Sequence, residues 1–118
     1  MIKVIIAGSR DFGDYNLLKW YSDAMLSRVS QEAQVEIVSG CARGADSLGI
    51  RYAEEKGYRI KEFPADWSQG KGAGYRRNEK MGDYADVLIA FWDGKSRGTR
   101  HMIEYMQKLG KPVRIKYF

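Results

Sequence analysis

The chain has 118 residues, 44% apolar and 30% charged, with 20 Lys and Arg against 15 Asp and Glu for a net charge of +5. That length fits one domain spanning residues 1–118 and able to bury a core. No apolar run approaches the ~20 residues of a membrane span, and the N-terminus has no signal-peptide pattern, so no membrane partner and a cytoplasmic location are expected. The single cysteine, Cys41, excludes an intrachain disulfide and a cysteine-cluster metal site; the spacing around it reads as a small residue in a tight turn. With His101 the only histidine, His-based triads and His-rich metal sites are closed off, and no metal is expected.

Ile2 to Ala7 is nearly continuous, β-branched apolar sequence, which predicts a buried strand. Asp14 can cap a helix in which Leu18, Tyr21, Met25 and Val29 recur at helical spacing. A second strand is predicted over Val35 to Val38, followed by two glycines and a helix with Ala45, Leu48, Gly49, Tyr52 and Ala53 on one face, ending near Gly57. Tyr58 to Phe63 alternates charged and apolar residues, as an edge strand does. Pro64 to Gly74 reads as a loop, and a short helix follows from about Tyr75 to Tyr84. Val87 to Trp92 is the most apolar strand, and Asp93 to Gly98 is a second glycine loop. The last helix is expected to bury Met102, Ile103, Met106 and Leu109, to leave His101 exposed, and to end at Gly110 before a strand from Pro112 through Ile115.

Strands alternating with helices at this spacing predict βαβ units and a parallel sheet covered on both faces. The first and fourth strands are apolar on both faces and belong in the centre; the third and fifth alternate and belong at the edges. Right-handed crossovers then give five strands in the order 3-2-1-4-5, a three-layer α/β/α Rossmann-like sandwich. The order reverses between strands 1 and 4, and a crevice is expected at their carboxyl ends.

Three loops reach that crevice. The first carries Gly8, Ser9 and Arg10, the second runs from Ser39 and Gly40 through Arg43 and Gly44 to Asp46, and the third runs from Asp93 and Gly94 through Ser96 to Gly98 and Thr99. The second and third precede helices, whose first amides and positive dipole ends attract anions. Neither loop is G-x-G-x-x-G, and no G-x-x-x-x-G-K-[ST] occurs, so ordinary NAD enzymology and P-loop ATP hydrolysis are not supported.

Val-Ser-Gly-Cys-Ala-Arg-Gly-Ala-Asp at 38–46 resembles the S-G-x-A-x-G-[IA]-D turn of DprA proteins. Arg77-Asn78 with Met81, then Ala85-Asp86, then Gly94 to Thr99, is similar to the pattern of LOG cytokinin-activating enzymes. Both belong to the SLOG (SMF/DprA–LOG) superfamily. Ala7–Phe12, Gly72–Asn78 and the Ala90–Thr99 run most resemble its small YspA/YpsA-related branch. The resemblance implies a nucleotide or nucleotide-derived ligand, such as an ADP-ribose or NAD derivative or a nucleoside phosphate, held by a sensor or binding module that requires no cofactor. It assigns Arg77 to phosphate recognition, which a guanidinium fork suits, with Asn78 beside it.

For catalysis, LOG enzymes place a glutamate three residues beyond their G-T threonine, and that position is Met102 in this chain. Glu104 lies five beyond Thr99 and is expected to pair with Arg100. Arg77, Asp46 and Glu104 are therefore the catalytic candidates, and a LOG-like phosphoribohydrolase stands as the alternative function. A second alternative, from the DprA resemblance, is single-stranded nucleic-acid binding through Lys71, Arg76, Arg77 and Lys80. LOG relatives dimerise, and an apolar residue such as Trp20 leaves room for a homodimer.

Overall fold

The computed structural model describes residues 1–118. In chain order the elements are β1 (Ile2–Gly8), α1 (Tyr15–Leu26), α2 (Val29–Glu32), β2 (Val35–Ser39), α3 (Ala45–Lys56), β3 (Arg59–Glu62), a 3-10 turn (Trp67–Gln69), α4 (Ala73–Tyr84), β4 (Val87–Trp92), α5 (Arg97–Lys108) and β5 (Val113–Tyr117). The strands form one parallel sheet in the order β3-β2-β1-β4-β5, the order read from strand character. Ile5 on β1 sits opposite Val38 on β2 and Leu88 on β4.

Alternation along β1 divides the core. Val4 and Ile6 join Leu18 of α1, Tyr52 of α3, Ile37 and Phe91 on one face of the sheet. Ile5 and Ala7 join Met81 of α4, Met102 and Met106 of α5, Val38 and Leu88 on the other. A strand whose successive side chains are all buried must be covered on both faces, which is why β1 and β4 are central. The edge strands differ as expected: Arg59, Lys61 and Glu62 are exposed on β3, and Arg114 and Tyr117 on β5.

Several boundaries depart from the sequence expectations. Helix α1 is capped by Asp14, whose carboxylate accepts from the Leu17 amide at 3.0 Å, but it stops at Leu26 and does not run through Val29. Its buried seam is Tyr15, Leu18, Ser22 and Leu26, so Met25 is turned outward and is 39% exposed. Helix α5 starts at Arg97, inside the stretch expected to be loop, and its packed face ends with Met106. Leu109 follows as the C-cap residue and is 40% exposed, one turn past the sheet it was expected to cover. β3 is shorter than expected because the Tyr58 amide is taken by the Ala53 carbonyl of α3 at 2.9 Å. β5 is longer, pairing Tyr117 with Trp92.

Candidate functional site

At the carboxyl ends of β1, β2 and β4 a cleft of about 500 Å³ opens between the three expected loops. Ser9 ties these loops together. Its amide donates to the Phe91 carbonyl at 3.0 Å, its carbonyl accepts from Ala45 at 3.4 Å, and its hydroxyl accepts from the Asp93 amide at 3.3 Å. Gly8 and Gly44 are required by this closeness. A β-carbon on Gly8 would collide with the Phe91 carbonyl, and one on Gly44, at φ +81°, with the carbonyls of Ser9 and Arg10.

The second loop is shaped in part by Ser39 and Cys41, which do not line the cleft. The buried Ser39 hydroxyl donates to the Asp46 carbonyl at 3.2 Å and accepts from the Cys41 amide at 3.1 Å, holding Cys41 at φ +66°. The Cys41 thiol donates to Glu62 at 3.3 Å, and burial first, then this carboxylate, pushes its pKa up to about 11. A raised thiol bonded to a carboxylate fits a turn residue. Asp46 is almost fully buried and accepts from the Ala42 amide at 3.2 Å. Burial pushes its carboxyl up to about 6, against the pull of the Ala42 amide, the Arg77 guanidinium, the Gly8 amide and Arg10.

The third loop is held by Asp93. Its Oδ1 accepts from the Lys95 and Ser96 amides, each at 2.8 Å, and these bonds hold its carboxyl below the usual range. Gly94 stands at φ +81° within this turn and is not on the cleft wall. The Ser96 and buried Thr99 hydroxyls are 3.2 Å apart. Nothing lies within 4 Å of where a Gly98 β-carbon would stand, so that position borders open space.

Arg77 and Asn78 bridge the loops from α4. Arg77 Nη1 donates to the Gly40 carbonyl and, at 3.3 Å, to the Phe63 carbonyl, while Nε donates to Asn78 Oδ1 at 3.1 Å. Asn78 Nδ2 donates to the Gly98 carbonyl at 3.1 Å and stands 3.3 Å from His101 Nδ1. The expectation that His101 is exposed is therefore corrected. Its ring stacks on Tyr75 with centroids 4.5 Å apart and is about one-quarter exposed, because α4 packs directly on α5.

Apart from the Ala45 amide, which donates to the Ser9 carbonyl, the first-turn amides of both helices lack partners within the chain. Intrahelical bonding begins at Leu48 in α3 and Arg100 in α5, which leaves the amides of Asp46, Ser47, Arg97, Gly98 and Thr99 without one. Arg10, Arg43, Arg77 and Lys95 on the walls face Asp11, Asp46 and Asp93, so cations exceed carboxylates. Lys95 lies in the third loop, where the sequence places it, whereas Asp11, next to Arg10, was not a sequence candidate. Met81 and Met102 supply the apolar floor. Glu104 lies exposed and off the cleft, and its expected pairing with Arg100 does not form. Arg100 packs over Trp92 at 5.6 Å and donates to the Gly94 carbonyl at 3.5 Å. No group of three or more His, Cys, Asp or Glu side chains stands together as a metal site.

The fold and cleft define a Rossmann-like α/β protein with a crevice at the topological switch point. The chain belongs to the YspA, cpYpsA-related SLOG family, whose model matches residues 2–70. It is 38% identical to the Gene 61 protein of Mycobacterium phage D29 over 121 aligned positions, covering 96% of this chain and 94% of that one. Its fold is shared with DNA processing protein A of Helicobacter pylori, described for its single-stranded DNA binding mode, at a TM-score of 0.65 and 22% identity. That match covers 97% of this chain but only 64% of the longer protein. The structural-genomics target TM1055 matches at a TM-score of 0.69 and 20% identity over 96% of this chain and 72% of its own. No helix here is long and apolar enough to cross a membrane.

Proposed function

We propose that this protein binds a nucleotide-derived ligand, an ADP-ribose or NAD derivative or a nucleoside phosphate, with its phosphate between the N-termini of α3 and α5. The observation that carries this reading is the pair of helix starts opening on one cleft. Their unpartnered amides at Asp46, Gly98 and Thr99 share it with Arg10, Arg43 and Lys95. Family membership supports the same reading. The LOG-type position favours binding over turnover, while Asp11, Asp46 and Asp93 are the carboxylates the walls do carry. An N-glycosidic cleavage needs a carboxylate at an oxocarbenium-like transition state, and buried Met102 occupies the position where the resemblance expects it.

A thermal-shift series with nucleoside monophosphates, ADP-ribose and NAD tests the proposal. The ligand raises the melting temperature of the wild-type protein. Gly98→Val abolishes that rise while leaving the ligand-free melting temperature near its wild-type value, since the added side chain enters open space. Absence of a shift with every compound would overturn it. Chromatography for released base distinguishes the phosphoribohydrolase alternative.

Single-stranded nucleic acid is the second reading. It is supported by the Helicobacter pylori neighbour and by a hollow of about 430 Å³ beside the cleft that carries Lys61, Arg76 and Lys80. It predicts an affinity for oligonucleotides that falls steeply with salt.

A further inference from the structure

The phosphate cleft contains no aromatic side chain, so its walls offer no ring to stack on a base. A second hollow of about 370 Å³ adjoins it, and Arg10, Ala42, Arg43 and Arg77 belong to the walls of both. The far side of that hollow is formed by Pro64, Ala65 and Trp67. Trp67 is 56% exposed, and its indole N–H makes no hydrogen bond within the chain. Trp92, by contrast, is committed: its N–H donates to the Ser96 carbonyl at 3.1 Å and its ring lies 5.7 Å from that of Tyr117.

The exposed indole is held in place. Asp66 caps the 3-10 turn by accepting from the Ser68 amide at 3.2 Å and the Gln69 side chain at 3.1 Å. The Gly70 amide returns to the Trp67 carbonyl at 3.2 Å, and Arg76 of α4 donates to the Gln69 carbonyl at 3.0 Å. Against the ring lies Gly74, where a β-carbon would come within 3.0 Å of the indole. One part of the indole is thus backed by α4, and the remainder is open to solvent beside three arginines. An immobilised aromatic plane next to a cationic neck suits a flat, electron-rich ring whose attached phosphate continues into the cleft.

We infer that Trp67 is the stacking platform for the base of the ligand, with the hollow between Trp67 and Arg43 as the base subsite and the neck of arginines leading to the phosphate subsite. This rests on the proposed function, and it specifies where the base goes. The base can belong to a free nucleotide or to a nucleic-acid strand, since both present the same ring and phosphate.

Calorimetric and fluorescence titrations of the whole protein with AMP, ribose 5-phosphate and single-stranded oligothymidylate test it, using the wild type, Trp67→Ala, Trp67→Leu and Trp67→Phe. AMP binds more tightly than ribose 5-phosphate and quenches indole emission. Trp67→Ala and Trp67→Leu each weaken AMP about 5- to 100-fold and leave ribose 5-phosphate unchanged. Trp67→Phe retains most of the AMP affinity and loses the quenching. A loss seen with the oligonucleotide alone supports the platform and assigns its base to a strand. If ribose 5-phosphate binds but AMP is no tighter and is indifferent to Trp67→Ala, the base subsite is overturned while the phosphate site stands. Failure of all three ligands overturns both.

Discussion

Arg77 shows how a residue can match a ligand motif and still hold the protein together. Its Nη1 and Nε are bonded to the Gly40 and Phe63 carbonyls and to Asn78, joining α4 to the ends of β2 and β3. Arg77→Ala should therefore lower the stability of the ligand-free protein by about 2–4 kcal/mol in urea titrations. Arg77→Lys should recover less than half of that, since one ammonium cannot reproduce the fork. A purely ligand-directed arginine would leave ligand-free stability unchanged. Asp46 gives the pH dependence. Its carboxyl is raised from 3.8 to about 6, so the native state holds this proton more tightly than the unfolded chain does. Its favourable contribution is complete below about pH 4 and is lost as pH rises through about 6; above that, burial of the charge costs up to about 3 kcal/mol. Asp46→Asn keeps an acceptor for the Ala42 amide and removes the charge. It should stabilise the protein by about 1–2 kcal/mol at pH 8, with some attraction to Arg77 lost, and have little effect at pH 4. Equal destabilisation at both pH values would refute this account.

At the scale of elements, the C-terminus of α4 depends on a residue far away in sequence. Lys111 Nζ donates to the carbonyls of Gly82 at 2.7 Å, Asp83 at 3.2 Å and Ala85 at 2.8 Å, placing a cation on the negative end of the helix. Lys111→Met keeps the stem and removes the donors, and should cost about 1–3 kcal/mol in thermal or urea unfolding. Leu18→Ala, at a fully buried position of the α1 seam, should cost about 2–5 kcal/mol by the same measurement. The contrast marks what was legible beforehand. Leu18 was readable because it lies on a periodic face; Lys111 was not, because its partners come from 26 to 29 positions earlier. Helix ends were the least readable part. Met25 and Leu26 compete for the same turn, and only the sheet beneath decides which is buried. The Arg100–Glu104 pair failed for a similar reason, Arg100 being drawn instead to the face of Trp92.

At the scale of the whole molecule, the strand order was readable because burial on one or two faces leaves a direct trace in residue type. The three loops around the cleft followed from that order. Their internal division of labour did not. Ser39, Gly44 and Gly94 build the turns, whereas Ser9, Arg43 and Gly98 reach the cleft, and the difference is set by hydrogen bonds that cross between loops. The net charge of +5 acts at this scale too. Association with an anionic ligand should slow as ionic strength rises, which stopped-flow titration would measure; a rate independent of salt would argue against steering by the field of the molecule.

Ser9 carries a further consequence. Because it fastens the loops after β1 and β4 and the start of α3 to one another, the wall of the proposed binding cleft is assembled by the chain's own bonds. Little ordering is left for the arriving molecule to impose, so encounter and capture should merge into a single kinetic phase. Ser9→Ala removes the hydroxyl that holds the Asp93 turn. It should turn that one phase into two, a fast encounter followed by a slower tightening of the third loop, with the loss of affinity appearing in the lifetime of the complex.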